Sequence, residues 1–339
     1  IATPHPFPEK LAVDFLSGLD EVLCLEELDP VIERELIYIC GKYHLPTRIN
    51  GKLSGHTACA GENTRDTITT YINTFLGLTS PVTTDFPEPP ALPVRPPVLC
   101  AGCPHRGTFH VLSKLKTTVL GDIGCYTLAA LPPTAAMDTC LCMGGSITMA
   151  HGFEKAVGTA KNTVAVLGDS TFFHSGITGL INMNYNGSKG TVMVLDNRIT
   201  GMTGHQDNPS TGRNAKGEPA PAVDIAALCR AIGVKHVVEV DPFDLRAMEK
   251  AVKEETERDE LSVIIAKRPC ALIVKQPNIP YEVTDKCKNC KQCMKIGCPA
   301  IEEKDGRPFI VPERCVGCGL CESVCPFDAI RMTGKEASK

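Results

Sequence analysis

The sequence has no surplus of either charge: 35 lysines and arginines stand against 39 aspartates and glutamates, leaving a formal net charge of −4 at neutral pH. The two signs are interspersed, so there is no basic face for a phosphate backbone, and nucleic acid is excluded as the expected partner. Long apolar runs are missing as well. A bilayer span takes roughly 18 consecutive apolar residues, and no stretch approaches that. The first residues also lack a basic start followed by an apolar core, so no secretion signal is read. A soluble, cytoplasmic protein with no membrane partner is expected. Aromatic residues make only 5 % of the chain and tryptophan is absent, whereas cysteine is abundant at 18 of 339 residues. In a short secreted chain that count would mean disulfides. In a chain long enough for two or three domains and without a signal peptide, metal ligation explains it better. The chain begins at Ile1, without methionine, on an amphipathic stretch, as expected of a fragment or a processed piece of something longer.

The organisation changes character along the chain. Residues 1–80 read as a small α/β unit: Val22 to Leu28 suits a strand edge, and Asp29-Pro30 opens a helix over Val31 to Cys40, with proline at the first helical position. Pro81, Pro87, Pro89, Pro90, Pro93, Pro96 and Pro97 then mark residues 81–97 as a stiff, extended linker. Over residues 98–280 short β-rich runs alternate with helical patterns. Thr117 to Leu120, Thr163 to Leu167, Thr191 to Leu195, Lys235 to Val240 and Leu261 to Ala266 are the expected strands, and Asp241-Pro242 caps a helix running to about Asp259. Such alternation predicts βαβ units and a mostly parallel sheet, whose ligands bind beyond the carboxyl ends of its strands. Residues 281–339 are cysteine-dense and too few for a substantial core, so this part should need bound metal to fold.

Within that last part, Cys315, Cys318, Cys321 and Cys325, followed by Pro326, have the spacing of bacterial ferredoxins, in which the fourth cysteine serves the other of two clusters. Cys287, Cys290, Cys293 and Cys298, followed by Pro299, supply the second run, with one residue more than usual between Cys293 and Cys298. A pair of zinc sites is the competing reading of such cysteines. The segment resembles two-cluster ferredoxins. That resemblance implies two 4Fe-4S clusters, one held by Cys287, Cys290, Cys293 and Cys325, the other by Cys315, Cys318, Cys321 and Cys298.

The run Thr163 to Leu167 reads as a buried strand ending at Gly168-Asp169-Ser170, and a second strand ends at Leu195-Asp196-Asn197. Glycine lets backbone approach phosphate, while a carboxylate and an amide oxygen are hard ligands suited to magnesium. An ordinary turn is the competing reading. The arrangement resembles the thiamine-diphosphate motif. The segments from Gly168 to Gly176 and from Asp196 to Gln206 are similar to those of the 2-oxoacid:ferredoxin oxidoreductases. Cys100 to Arg106, Gly121 to Tyr126 and Asp138 to Ser146 narrow the likeness to the large subunit of the indolepyruvate branch, C-terminal portion. The resemblance implies an α/β domain binding thiamine diphosphate, preceded by part of a small transketolase-C-terminal-like α/β domain and followed by a ferredoxin-like domain. Carried over by position, Asp169, Asn197 and the carbonyl of Ile199 would bind Mg2+, and Ser170, Thr171, Gly201 and Met202 would line the diphosphate. Cys100, Ala101, Gly102 and Cys103, with Ile123, Gly124 and Cys125, would contact the cofactor, and Met143 would support its bent conformation. Core packing is the competing reading for Met143. His174, His205 and Gln206 fall in the same segments without an assigned role, and Cys100, Cys103 and His105 could also be read as an incomplete metal site.

A thiazolium ring is an electron sink that no side chain replaces, and adjacent clusters give the electrons a destination. The implied activity is oxidative decarboxylation of arylpyruvates such as indolepyruvate, with the acyl group leaving as a coenzyme A thioester, CO2 released and external ferredoxin reduced. The same chemistry on pyruvate or a branched 2-oxoacid, or a non-catalytic ferredoxin-like electron carrier, are the alternatives. Family members work with a smaller beta subunit, and the glutamate that activates the pyrimidine lies in a domain on the N-terminal side with no match here. The chain alone is therefore expected to be incomplete, with no catalytic residue of its own assigned.

Overall fold

The computed structural model describes residues 4–79 and 90–334. The chain forms two compact units, Ile1–Pro93 and Val94–Lys339. Most of the linker expected over residues 81–97 lies outside the described residues, and residues 90–99 carry no regular structure. Among the described residues no helix is long and apolar enough to cross a membrane.

In the first unit, helix α1 (Glu9–Leu16), strand β1 (Glu21–Leu23), helix α2 (Val31–Tyr43), strand β2 (Arg48–Asn50) and helix α3 (Arg65–Phe75) follow in order. Strands β1 and β2 pair in parallel, and Ala12, Leu16, Cys24, Leu36 and Ile39 form the core. The strand is shorter than the run Val22 to Leu28 suggests, because its partner β2 ends at Asn50, opposite Leu23. Pro30 caps α2 from outside rather than sitting at its first position. Glu33, fully buried, accepts the backbone N–H groups of Lys52 (2.8 Å) and Leu53 (3.1 Å) and so ties α2 to the loop after β2.

The second unit is built on a six-stranded, wholly parallel sheet. Its strands are β3 (Thr118–Gly121), β4 (Thr139–Cys140), β5 (Thr163–Gly168), β6 (Thr191–Asp196), β7 (His236–Val240) and β8 (Ser262–Lys267), in spatial order β4-β3-β5-β6-β8-β7. Helices α4 (His105–Leu115), α5 (Gly145–Val157), α6 (Asp169–Thr171), α7 (Ile177–Tyr185), α8 (Ile225–Ile232) and α9 (Leu245–Thr256) cover both faces. A π-helical stretch, Phe172–Gly176, joins α6 to α7. Because both faces are covered, β5, β6 and β8 are near-continuous apolar runs. Val164, Val166, Met193, Leu195 and Ile264 pack on one side with Phe109 and Leu112 of α4 and Met248 of α9. Ala165, Leu167, Val192, Val194, Val263 and Ile265 pack on the other with Ile147 of α5 and Leu180 of α7. Full burial of each such side chain stabilises by about 1.5–3 kcal/mol, which makes this sheet the rigid platform of the unit. Helix α9 begins later than the Asp241-Pro242 signal suggests: the Asp241 carboxylate accepts from Phe243 N in a local turn, and the side chain of Asp244 caps the helix by accepting from Ala247 N (3.0 Å).

The cysteine-dense end carries strand β9 (Tyr281–Val283), a hairpin of β10 (Ile301–Lys304) and β11 (Arg307–Ile310), a short helix α10 (Leu320–Ser323) and strand β12 (Ile330–Met332). Strands β9 and β12 pair antiparallel and bring the two ends of the segment together. The hairpin turns on Asp305 and Gly306, both left-handed, which is the conformation an Asp-Gly turn favours. The core here is Tyr281, Cys293, Ile296, Ile310, Leu320, Cys321 and Ile330, with Phe243 and Leu245 of the preceding sheet domain packed against it. The architecture is an α/β domain with a parallel sheet followed by a small cysteine-dense domain.

Candidate cofactor and cluster sites

Where β5 and β6 end, their last residues open a cleft of about 590 Å³ lined by His105, Ile123 to Tyr126, Met143, Gly168 to Thr171, Asn197, and Ile199 to Thr203. Asp169 starts α6 and is 2 % exposed. Its Oδ1 accepts from Ser170 N (2.8 Å), but its Oδ2 has no hydrogen-bond partner among the described residues. Burial, reinforced by the neighbouring Asp196 carboxylate, pushes the Asp169 carboxyl up to about 7. A buried acceptor with no donor is costly, and a bound cation is the kind of partner that relieves it. Asn197 lies just past β6. Its Oδ1 accepts from Ile199 N (3.2 Å), and its Nδ2 lies 3.5 Å from His105 Nε2. Burial depresses His105 to about 4, so the ring is neutral and can accept from the Asn197 amide.

The loop after β3 is braced from beneath. Asp122 is fully buried, and its carboxylate accepts from Tyr126 Oη, from Gly144 N (2.8 Å) and from Ser146 Oγ (3.3 Å). Gly124 packs so closely on the Tyr126 ring that a Cβ there would come within 2.4 Å of it. This holds Ile123, Gly124 and Cys125 against the cleft, facing Met143 and Met202. The cleft thus gathers Asp169, Asn197, Ile199, Ser170, Thr171, Gly201, Met202, Ile123, Gly124, Cys125 and Met143. His174, His205 and Gln206 are exposed and do not line it. His174 pairs with Ser175 Oγ, and Gln206 bonds within its own loop to Thr203.

All eighteen cysteines are free of disulfides. Cys298, Cys315, Cys318 and Cys321 line one space. Cys287, Cys290, Cys293 and Cys325 line another. Each set therefore takes its fourth member from the other run. Backbone N–H groups already point at several sulfurs: Tyr281 N at Cys315 (3.5 Å), Asn289 N at Cys287 (3.4 Å) and Ala329 N at Cys325 (3.4 Å). Among the described residues no three His, Cys, Asp or Glu side chains converge as a single metal ion demands. Burial pushes the Cys293 thiol up to about 11 and raises those of Cys298, Cys318 and Cys321.

The turn before α4 joins the two regions. His105 faces the cofactor cleft, whereas Ala101, Gly102 and Arg106 line the cavity of Cys298, Cys315, Cys318 and Cys321. Gly102 is left-handed (φ 73°) and so close that a Cβ would meet Val316 at 2.8 Å. Cys100 is exposed and Cys103 buried, and neither lines the cofactor cleft. Sequence reasoning left His105 without a role in the cleft and gave none to Arg106, Tyr126 or Asp122. Each falls inside a quoted segment, but their roles depend on contacts with residues distant in the chain. Cys270, beyond β8, also approaches: burial raises its thiol, and Cys100 and Asp169 are among the charges acting on it.

The "Indolepyruvate oxidoreductase subunit IorA" of Methanothermobacter marburgensis is 38 % identical over 345 residues, covering 98 % of this chain and 55 % of that protein. The same subunit of Pyrococcus abyssi is 38 % identical over 363 residues, covering 97 % of this chain and 55 % of its own length. The chain is similar to the IorA subunit over nearly its whole length. It spans about half the length of the curated IorA relatives it matches. Residues 122–266 match the model for the thiamine pyrophosphate enzyme C-terminal TPP binding domain, and residues 308–331 match that for a 4Fe-4S binding domain. Ferredoxin-1 of Caulobacter vibrioides is 44 % identical over 55 residues, 15 % of this chain and 48 % of that ferredoxin. The thiamine-diphosphate and iron-sulfur domains lie in the order expected. The cluster model stops short of the first cysteine run, where the spacing departs from the usual one.

Proposed function

We propose that the chain is the diphosphate-binding and electron-transfer part of an enzyme that oxidatively decarboxylates arylpyruvates of the indolepyruvate type to the aryl-acetyl coenzyme A thioester and CO2. Its electrons pass through two 4Fe-4S clusters to ferredoxin, and a smaller beta subunit completes the assembly. The observation that carries this reading is the buried, unpartnered Asp169 Oδ2 at the strand ends, in one compact unit with a cavity ringed by four cysteines. Asp169, the Asn197 amide oxygen and the Ile199 carbonyl would hold Mg2+, with Ser170, Thr171, Gly201 and Met202 around the diphosphate. Bound there, thiamine diphosphate supplies the electron sink that decarboxylation needs.

The chain's own residues supply placement. Neutral His105 can accept from the Asn197 amide nitrogen, while Ile199 N holds the amide oxygen. The Asp122 carboxylate clamps the 122–126 loop, and Ile123, Met143, Ile199 and Met202 give the cleft apolar walls. The activating glutamate would come from the N-terminal domain of the longer protein. The test compares this 339-residue chain with the full-length protein, each anaerobic and with its partner subunit, across a panel of 2-oxoacids. CO2 release coupled to ferredoxin reduction, fastest with arylpyruvates and confined to the full-length protein, is expected. Preference for pyruvate would refute the substrate class, equal turnover by the short chain would refute the missing-glutamate account, and failure to bind thiamine diphosphate with magnesium would reduce the chain to an electron carrier.

A further inference from the structure

Arg106 is 4 % exposed and belongs to the sheet domain, yet it lines the cavity of Cys298, Cys315, Cys318 and Cys321. Two of its three nitrogens are pinned: Nε donates to the Cys100 carbonyl (2.8 Å), and Nη1 donates to the Ile296 carbonyl (2.9 Å), two residues before Cys298. Nη2 is buried without a hydrogen-bond partner among the described residues. Gly297 makes room for the head: a Cβ there would stand 3.3 Å from Nη1. Among the described residues no carboxylate is bonded to the guanidinium. The ionisable groups that bear on it include the thiols of Cys298, Cys103, Cys100 and Cys318. Arg268, a cation that also bears on Cys318, is engaged with Asp241 at the surface. A permanently charged side chain that is buried and unpaired is expensive to keep, so a resident anion is expected beside it.

We propose that Arg106 directs its free Nη2 and its charge at the iron-sulfur cluster held by Cys298, Cys315, Cys318 and Cys321, raising that cluster's reduction potential above what its thiolates alone would set. This rests on the two-cluster reading. An oxidised 4Fe-4S core with four thiolates carries a net charge of 2−, and one electron, drawn from the 2-oxoacid in turnover or from dithionite in a titration, makes it 3−. A fixed cation stabilises the more negative state more, and hydrogen bonds to cluster sulfurs act in the same direction. The cavity of Cys287, Cys290, Cys293 and Cys325 has no arginine in its lining, so the effect falls on one cluster.

The experiment is an EPR-monitored potentiometric titration of the anaerobic full-length protein with its partner subunit, as wild type, Arg106→Gln and Arg106→Lys. In the glutamine variant the equilibrium of the Cys298 cluster should move about tenfold toward the oxidised state, about 59 mV for a one-electron couple. The lysine variant, which keeps the charge, should stay nearer wild type, and the Cys325 cluster should not move in either. Two intact clusters with unmoved potentials, or equal shifts in both, would overturn the role of Arg106 alone. Iron short of two clusters in the wild type would instead sink the reading it rests on. Should Arg106→Gln fail to assemble, wild-type protein labelled with nitrogen-15 arginine decides: pulsed EPR must find a guanidinium nitrogen coupled to one reduced cluster, and its absence overturns the proposal.

Discussion

Replacing Asp169 with asparagine should have opposite effects on stability and on cofactor binding. The carboxyl is buried, one oxygen has no partner, and its pKa lies near 7 instead of 3.8. Below about pH 4 both folded and unfolded chains hold the proton and nothing is lost. Between about pH 4 and 7 the unfolded chain releases it while the folded one keeps it, so stability of the metal-free fold falls as pH rises, and above 7 the full penalty stands. At about 1.36 kcal/mol per pH unit, the interval from 3.8 to about 7 amounts to about 4 kcal/mol, an upper figure because the loop can relax and water can enter. Asp169→Asn removes this penalty while preserving shape. With chelator present, its urea midpoint at pH 8 should exceed that of wild type, and the two should converge as the pH falls below about 4. The same variant should lose magnesium-dependent binding of thiamine diphosphate, read by titration calorimetry, with its iron content unchanged. An asparagine variant no more stable at pH 8 that still binds magnesium and cofactor with wild-type affinity would refute the reasoning.

Other outcomes follow from the same geometry. Anaerobically prepared protein should hold about eight iron and eight acid-labile sulfide atoms per chain, and stoichiometric zinc without sulfide would refute it. Cys298→Ser should perturb the cluster of the later cysteine run and Cys325→Ser that of the earlier one, resolved by their separate EPR signals; damage confined to each cysteine's own run would show that the ligands do not cross. Asn197→Ala should weaken magnesium-dependent cofactor binding less than the Asp169 change does, since water can replace one neutral oxygen. Gly107→Ala should destabilise by at least 1–3 kcal/mol in thermal or denaturant melts, because its Cβ would lie 1.9 Å from the Pro242 carbonyl oxygen.

The sheet was legible in the sequence because its central strands are buried on both faces. Thr163 to Leu167 and Thr191 to Leu195 read as apolar runs ending in Gly-Asp and Asp-Asn, and the structure extends each by a single residue. The edge strand β4 is only Thr139–Cys140, too short to carry any periodicity, and it was not foreseen. Helix α9 starts later than the Asp241-Pro242 signal suggests because Asp241 closes only a local turn, whereas Asp244 makes the capping bond. Among site residues, spacing drew attention to those with a motif: Asp169, Asn197 and the eight clustered cysteines. His105 and Arg106 sit side by side in the sequence yet face different cavities, because successive residues of a helix point about 100° apart; no pattern in the sequence says which cavity each will meet.

A two-cluster ferredoxin looks like a cassette that could be joined to any oxidoreductase by a tether. Here Ala101, Gly102 and Arg106 of the sheet domain close one wall of the cavity ringed by Cys298, Cys315, Cys318 and Cys321, and Phe243 and Leu245 extend the small core beside it. The small domain has therefore surrendered its independence. Exchanging it for a homologous ferredoxin would leave that cavity open to solvent on one side, so the two domains must vary together, and the turn from Cys100 to Arg106 is where a change in one must be answered by the other.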